Sequence, residues 1–116
     1  MPGIVFFATK ELEDLRDFYL DRIGAELWRD QGRCLIFEKN GFRFGFCEKP
    51  EEAETCGVLT FLFASREEVN DAYRQLEDIA RTKPVSREPE FQIYQFYGED
   101  PEGRTLEFQT FLAPAN

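Results

Sequence analysis

Asp100-Pro101-Glu102-Gly103-Arg104-Thr105-Leu106-Glu107-Phe108 carries the strongest structural signal in this chain. Its first four residues fit a type I turn place by place: Asp favours the first position, Pro presets φ at the second, and Gly is favoured at the fourth. Beyond the turn the residues alternate, with Thr105, Glu107 and Gln109 on one face of a strand and Leu106, Phe108 and Thr110 on the other. Glu107 is therefore a carboxylate on a strand that reads as half buried, and such a group needs a partner. Histidine, the usual proton- or metal-sharing partner, is absent from the chain.

Upstream of this turn, Phe91 to Tyr97 reads as a strand, preceded by a polar segment containing Pro84 and Pro89. Ser65-Arg66-Glu67-Glu68 is a capping box, with Ser at the N-cap and Glu three residues on. It opens a helix carrying Val69, Ala72, Tyr73, Leu76 and Ile79 at helical spacing, and Gly57 to Phe63 before it reads as a strand. The first half shows the same order. Residues 4–9 form a strand, and Glu11 to Ile23 a helix with Leu12, Leu15, Tyr19 and Ile23 as its apolar stripe. Thr9 is its candidate N-cap and Gly24 its stop. Leu35-Ile36-Phe37 and Phe42 to Phe46 flank Asn40-Gly41, the strongest short hairpin signal. The halves superpose at an offset of 54 residues, which brings Phe7 onto Phe61, Asp17 onto Asp71 and Tyr19 onto Tyr73. The reading is an α+β chain of one domain spanning residues 1–116. Two strand–helix–strand–strand–strand units, 1–48 and 57–116, are joined by an acidic linker, 49–56.

Composition limits the function. The chain has 116 residues, 42% hydrophobic and 32% charged, which suits a single globular core. A net charge of −9, with no basic stripe, argues against a nucleic-acid partner. No apolar run is long enough to span a membrane and no signal-peptide pattern opens the chain, so the expected location is the cytoplasm. Cys34, Cys47 and Cys56 are odd in number and show no C-x-x-C spacing, so reduced thiols are expected. No Ser/His/Asp set, Gly-rich phosphate loop or EF-hand spacing is present.

A doubled βαβββ unit, with Asp14, Leu15, Phe18 and Tyr19 in the first helix and Asp-Pro-Glu-Gly-x-x-x-Glu near the end, resembles the vicinal oxygen chelate superfamily. That superfamily includes glyoxalases, bleomycin-resistance-type binding proteins and extradiol dioxygenases. The resemblance covers nearly the whole chain. It implies two curled mixed sheets forming a half-open barrel around a site. Metal-using members place four His, Gln or Glu ligands there, on the first and last strand of each unit. The resemblance carries these positions onto Ile4, Gly45, Val58 and Glu107, of which Glu107 alone has a donor side chain. It therefore implies neither metal nor cofactor.

With Glu107 and Gly45 facing the site, strand parity gives the lining: Phe6, Arg43, Cys47, Thr60, Gln95, Tyr97 and Gln109, with Arg33, Leu35 and Phe37 from the first unit's side. This is an aromatic-rich surface with a few polar points. Glu107 can act as a general base, contact a ligand, pair with Arg43 or Arg33, or accept a hydrogen bond from Tyr97. Arg43 can grip an anion, balance Glu107 or sit at the rim. Cys47 has no histidine to activate it as a nucleophile. The expected function is metal-independent binding of a small molecule, of the resistance or sequestration type, in a homodimer. The alternative is a lyase, isomerase or dioxygenase-related enzyme using Glu107 with unusual metal ligands.

Overall fold

The computed structural model describes residues 2–113. The chain divides between Thr55 and Cys56 into two compact units, each with its own mixed four-stranded sheet and helix.

In the first unit, β1 (Val5–Thr9), β2 (Glu26–Asp30), β3 (Cys34–Lys39) and β4 (Phe42–Glu48) lie in the order β1-β4-β3-β2. β1 runs parallel to β4, and the other pairs are antiparallel. α1 (Leu12–Asp17) passes into a π-helical turn, Phe18–Arg22. All four residues of the expected stripe are buried, and the widened turn buries Phe18 as well. Tyr19 anchors the helix: its ring centroid lies 5.1 Å from Phe46, 5.2 Å from Phe44 and 5.8 Å from Phe37. Burying each of these rings contributes about 1.5–3 kcal/mol. Thr9 is not the N-cap. Glu11 holds that place, and the Thr9 hydroxyl accepts from the Glu11 amide at 2.9 Å. Asn40 and Gly41 both have positive φ, 50° and 90°, as a two-residue hairpin turn requires.

That turn has a consequence for the cysteines. Cys34 and Cys47 are directly opposite in the β3–β4 register and form a disulfide, with Cα atoms 4.0 Å apart. The expectation of three reduced thiols is corrected, and only Cys56 is free. The acidic linker is also more than solvated chain. The Ala8 amide donates to Glu54 Oε1 at 2.7 Å and the Glu54 amide to the Ala8 carbonyl at 2.9 Å, so Glu54 occupies polar groups on edge strand β1.

The second unit repeats the arrangement. β5 (Val58–Leu62), β6 (Val85–Arg87), β7 (Ile93–Glu99) and β8 (Thr105–Phe111) lie in the order β5-β8-β7-β6, with β5 parallel to β8. The short β6 comes from the polar segment before Pro89, where proline and charge obscured a strand. α2 (Arg66–Leu76) begins at Ser65, whose hydroxyl accepts from the Glu68 amide at 3.2 Å. Val69 and Leu76 are buried beneath it, and Tyr73 meets Phe96 edge-on at 5.3 Å. Phe96 stacks on Phe108 at 4.7 Å.

The Asp-Pro-Glu-Gly turn joins β7 to β8. The Gly103 amide donates to the Asp100 carbonyl at 2.9 Å, closing the expected turn. Arg104 behind it is buried, donating to Asp100 Oδ2 at 3.1 Å and Glu102 Oε1 at 2.8 Å. The motif is thus an ion cluster as well as a turn, and it fixes where β8 starts.

Candidate functional site

Glu107 sits at the middle of β8, opposite Thr60 of β5 on one side and Tyr97 of β7 on the other. Gln109, two residues on, shares its face and lies opposite Gln95. This register brings three neutral donors onto one carboxylate. Thr60 Oγ1 and Gln109 Nε2 each donate to Glu107 Oε1 at 2.8 Å, and Gln95 Nε2 donates to Oε2 at 2.9 Å. Glu107 is 9% exposed and Gln95 fully buried. The Gln95 carbonyl oxygen is buried without a partner, which costs about 1–3 kcal/mol. Turning the amide round would set that oxygen against a carboxylate oxygen, so the donation to Glu107 fixes its orientation.

A cavity of about 310 Å³ opens on this face, lined by Phe91, Ile93, Tyr97, Glu107, Gln109 and Phe111. That is the lower end of the range for small-molecule pockets. Phe91 and Phe111, each 61% exposed, form apolar walls of this cavity.

The same register place in the first unit has opposite chemistry. Phe6 stands opposite Gly45 as Thr60 stands opposite Glu107. The Phe6 ring lies over Gly45, where a Cβ would come within 2.6 Å of Phe6 Cε1. The Cys34–Cys47 pair follows Gly45 by two residues along β4, as the Gln95–Gln109 pair follows Glu107 along β8. One sheet presents a polar centre, the other an aromatic ring and a disulfide.

The remaining expected residues divide. Thr60, Gln95, Tyr97, Glu107 and Gln109 share one face of the second sheet, and Phe6 and Arg43 one face of the first, following the register. Arg43 is paired with Glu38 at 2.7 Å and lies over Trp28 at 4.2 Å, with Arg29 also on that ring at 4.1 Å. Glu107 takes neutral donors in place of the arginine pairing held open above. Arg33 is exposed in the loop before β3. Cys47 is committed to its disulfide and has no thiol to offer as a nucleophile. Phe37 and Leu35 are corrections: both are buried on the helix-facing side, opposite Phe44 and Phe46, while Ile36 stands opposite Gly45. A slip of one residue moves every side chain of a strand to the other face. The walls Phe91 and Phe111 were missed. Phe111 was legible from the parity of Glu107; Phe91, expected to open the strand, instead lies in the turn before β7, which begins at Ile93.

At three of the four positions that the resemblance carries over, the side chain cannot ligate a metal ion. Ile4 and Val58 have no donor atoms, Gly45 lies under Phe6, and both oxygens of Glu107 are engaged. Among the described residues, no group of three or more His, Cys, Asp or Glu side chains is arranged to hold a metal ion.

No protein-family model matches the chain, and no curated protein does either. Solved structures match along its length. A glyoxalase/bleomycin resistance protein/dioxygenase from Nocardioides has a TM-score of 0.77 and 19% identity, covering 100% of this chain and 86% of its own. An integron cassette protein from the mobile metagenome of a Halifax Harbour sewage outfall has a TM-score of 0.82 and 23% identity, covering 96% and 98%. Lactoylglutathione lyase from Agrobacterium tumefaciens has a TM-score of 0.75 and 16% identity, covering 95% and 92%. Two mixed four-stranded sheets, each carrying a helix, in this strand order define an α+β fold of the glyoxalase/bleomycin-resistance type. That is the fold which the resemblance to the vicinal oxygen chelate superfamily implies. Among the described residues, no helix is long and apolar enough to cross a membrane.

Proposed function

We propose that this chain binds a small organic molecule on the Glu107 face of its second sheet, without a metal ion, in a resistance- or sequestration-type role. One observation supports the reading: Glu107, which accepts from Thr60, Gln95 and Gln109, has no second ligating side chain at the other three carried-over positions, and among the described residues no group of three or more His, Cys, Asp or Glu side chains is arranged to hold a metal ion. The aromatic cavity beside Glu107 supplies apolar contact area for a ligand. In this reading the protein works as a homodimer, as small two-unit relatives often do.

The test has two parts. Elemental analysis of the purified protein is expected to find no stoichiometric divalent ion, and one tightly held ion per chain would overturn the reading. A thermal-shift screen with small aromatic compounds is expected to find stabilising ligands, since a ligand at a hundredfold excess over its Kd adds about 2.7 kcal/mol. Sedimentation velocity would read the dimer directly.

A lyase-like activity is the second reading, favoured by the likeness to a protein named lactoylglutathione lyase. It requires turnover that depends on added divalent ions and is lost in Glu107→Gln.

A further inference from the structure

Glu107 poses an electrostatic question that its three hydrogen bonds leave open. A carboxylate in a poorly hydrated site is normally accompanied by a cation, because the charge loses its hydration on burial. Within its unit, the partners of Glu107 are a hydroxyl and two amides, all neutral. These donors orient the group without cancelling its formal charge. A carboxylate has about four acceptor directions, and three are filled. Glu107 also lines the cavity, and the other lining residues are uncharged: Phe91, Ile93, Tyr97, Gln109 and Phe111.

Aromatic rings add to this arrangement. Tyr97 is the cross-strand neighbour of Glu107, and Phe91 and Phe111 form exposed walls of the same cavity. The face of an aromatic ring is electronegative and attracts ammonium and guanidinium groups, more strongly where water is excluded. A chain of net charge −9 also draws cations toward it at long range. An anionic ligand would meet repulsion on both counts.

Resting on the small-molecule reading above, we infer that the ligand of this cavity is an organic cation: a primary ammonium on a compact apolar or aromatic body. The ammonium donates to the free acceptor direction of Glu107, and the body packs between Phe91, Ile93 and Phe111. About 310 Å³ limits that body to roughly the size of one substituted ring.

Three probes that differ only at one end test this: 2-phenylethylammonium, 2-phenylethanol and 3-phenylpropanoate, titrated by calorimetry into the whole chain. The ammonium is expected to bind about tenfold or more tighter than the alcohol, with the carboxylate weakest. Its advantage is expected to shrink as sodium chloride is added. In Glu107→Gln the ammonium and the alcohol converge, while alcohol binding persists. If the ammonium and the alcohol bind equally to the unmodified protein, or the carboxylate binds best, the cation inference is overturned and the pocket reading stands. If none of the three binds, the pocket reading falls and takes this inference with it. The selectivity and salt dependence of the unmodified protein decide the matter even where Glu107→Gln does not fold.

Discussion

Phe6 and Thr60 hold the same register place in their two sheets, and their chemistry sets what each sheet offers. Thr60 has a hydroxyl that donates to Glu107, whereas Phe6 has a ring that needs bare backbone beneath it. Gly45 supplies that bare backbone. Gly45→Ala is expected to displace the Phe6 ring and to destabilise the first unit by about 1–3 kcal/mol in chemical denaturation. The Leu35 carbonyl, 3.2 Å from the added carbon, cannot retreat as a side chain can. Combining the change with Phe6→Ala is expected to recover part of the loss, and strict additivity would show that the ring and the glycine are not coupled. At this scale much of the site was legible. Alternation along β8 gives Gln109, and pairing parity gives Thr60, Gln95 and Tyr97. Phe37 was misplaced although the Asn40-Gly41 turn contained the correction, since a two-residue turn pairs Phe37 with Phe44.

At the scale of elements, the β7–β8 turn does more than reverse the chain. Asp100 accepts from the Glu102 and Arg104 amides at 2.9 and 3.1 Å and also pairs with the buried Arg104 guanidinium. Asp100→Ala leaves that guanidinium with Glu102 as its charge partner and strips the turn of its cap, so a loss of about 1–3 kcal/mol in unfolding free energy is expected. Asp100→Asn, which keeps an acceptor for the amides, is expected to cost less. α2 carries a second test. The Tyr73 phenol is pushed above its ordinary value of 10.0 by desolvation and then by the carboxylate of Glu77. The fold therefore favours the neutral phenol. Its contribution is complete below pH 10.0 and is lost as pH rises through the raised value. Thermal melts should fall across that alkaline window, and Tyr73→Phe should flatten the fall. Capping boxes, apolar stripes and turn residues made these elements readable. The π-helical turn at Phe18–Arg22 was not, because it widens the helix without changing which stripe is apolar.

In the whole molecule, the disulfide shows how local signals and distant pairing meet. Cys34 and Cys47 each lie six residues from the Asn40-Gly41 turn, so the hairpin brings them face to face. Peptide mapping without reductant should recover the 34–47 link and label only Cys56 with an alkylating reagent. Cys47→Ser is expected to lower stability by about 2–3 kcal/mol, the usual cost of opening a loop of this length. The capped helices, the Asn40-Gly41 and Asp100–Gly103 turns and the face of Glu107 follow from short-range patterns. Those patterns are encoded within a few residues of each position, which is why the chain alone determines them. The pairing of Thr60 with Glu107 spans 47 residues, and that of Gln95 with Glu107 spans 12. Only the tertiary structure decided that three neutral donors would converge on one carboxylate, or that a ring would cover Gly45. Such contacts depend on register between strands and on the space left by neighbouring side chains, and neither is written at any single position.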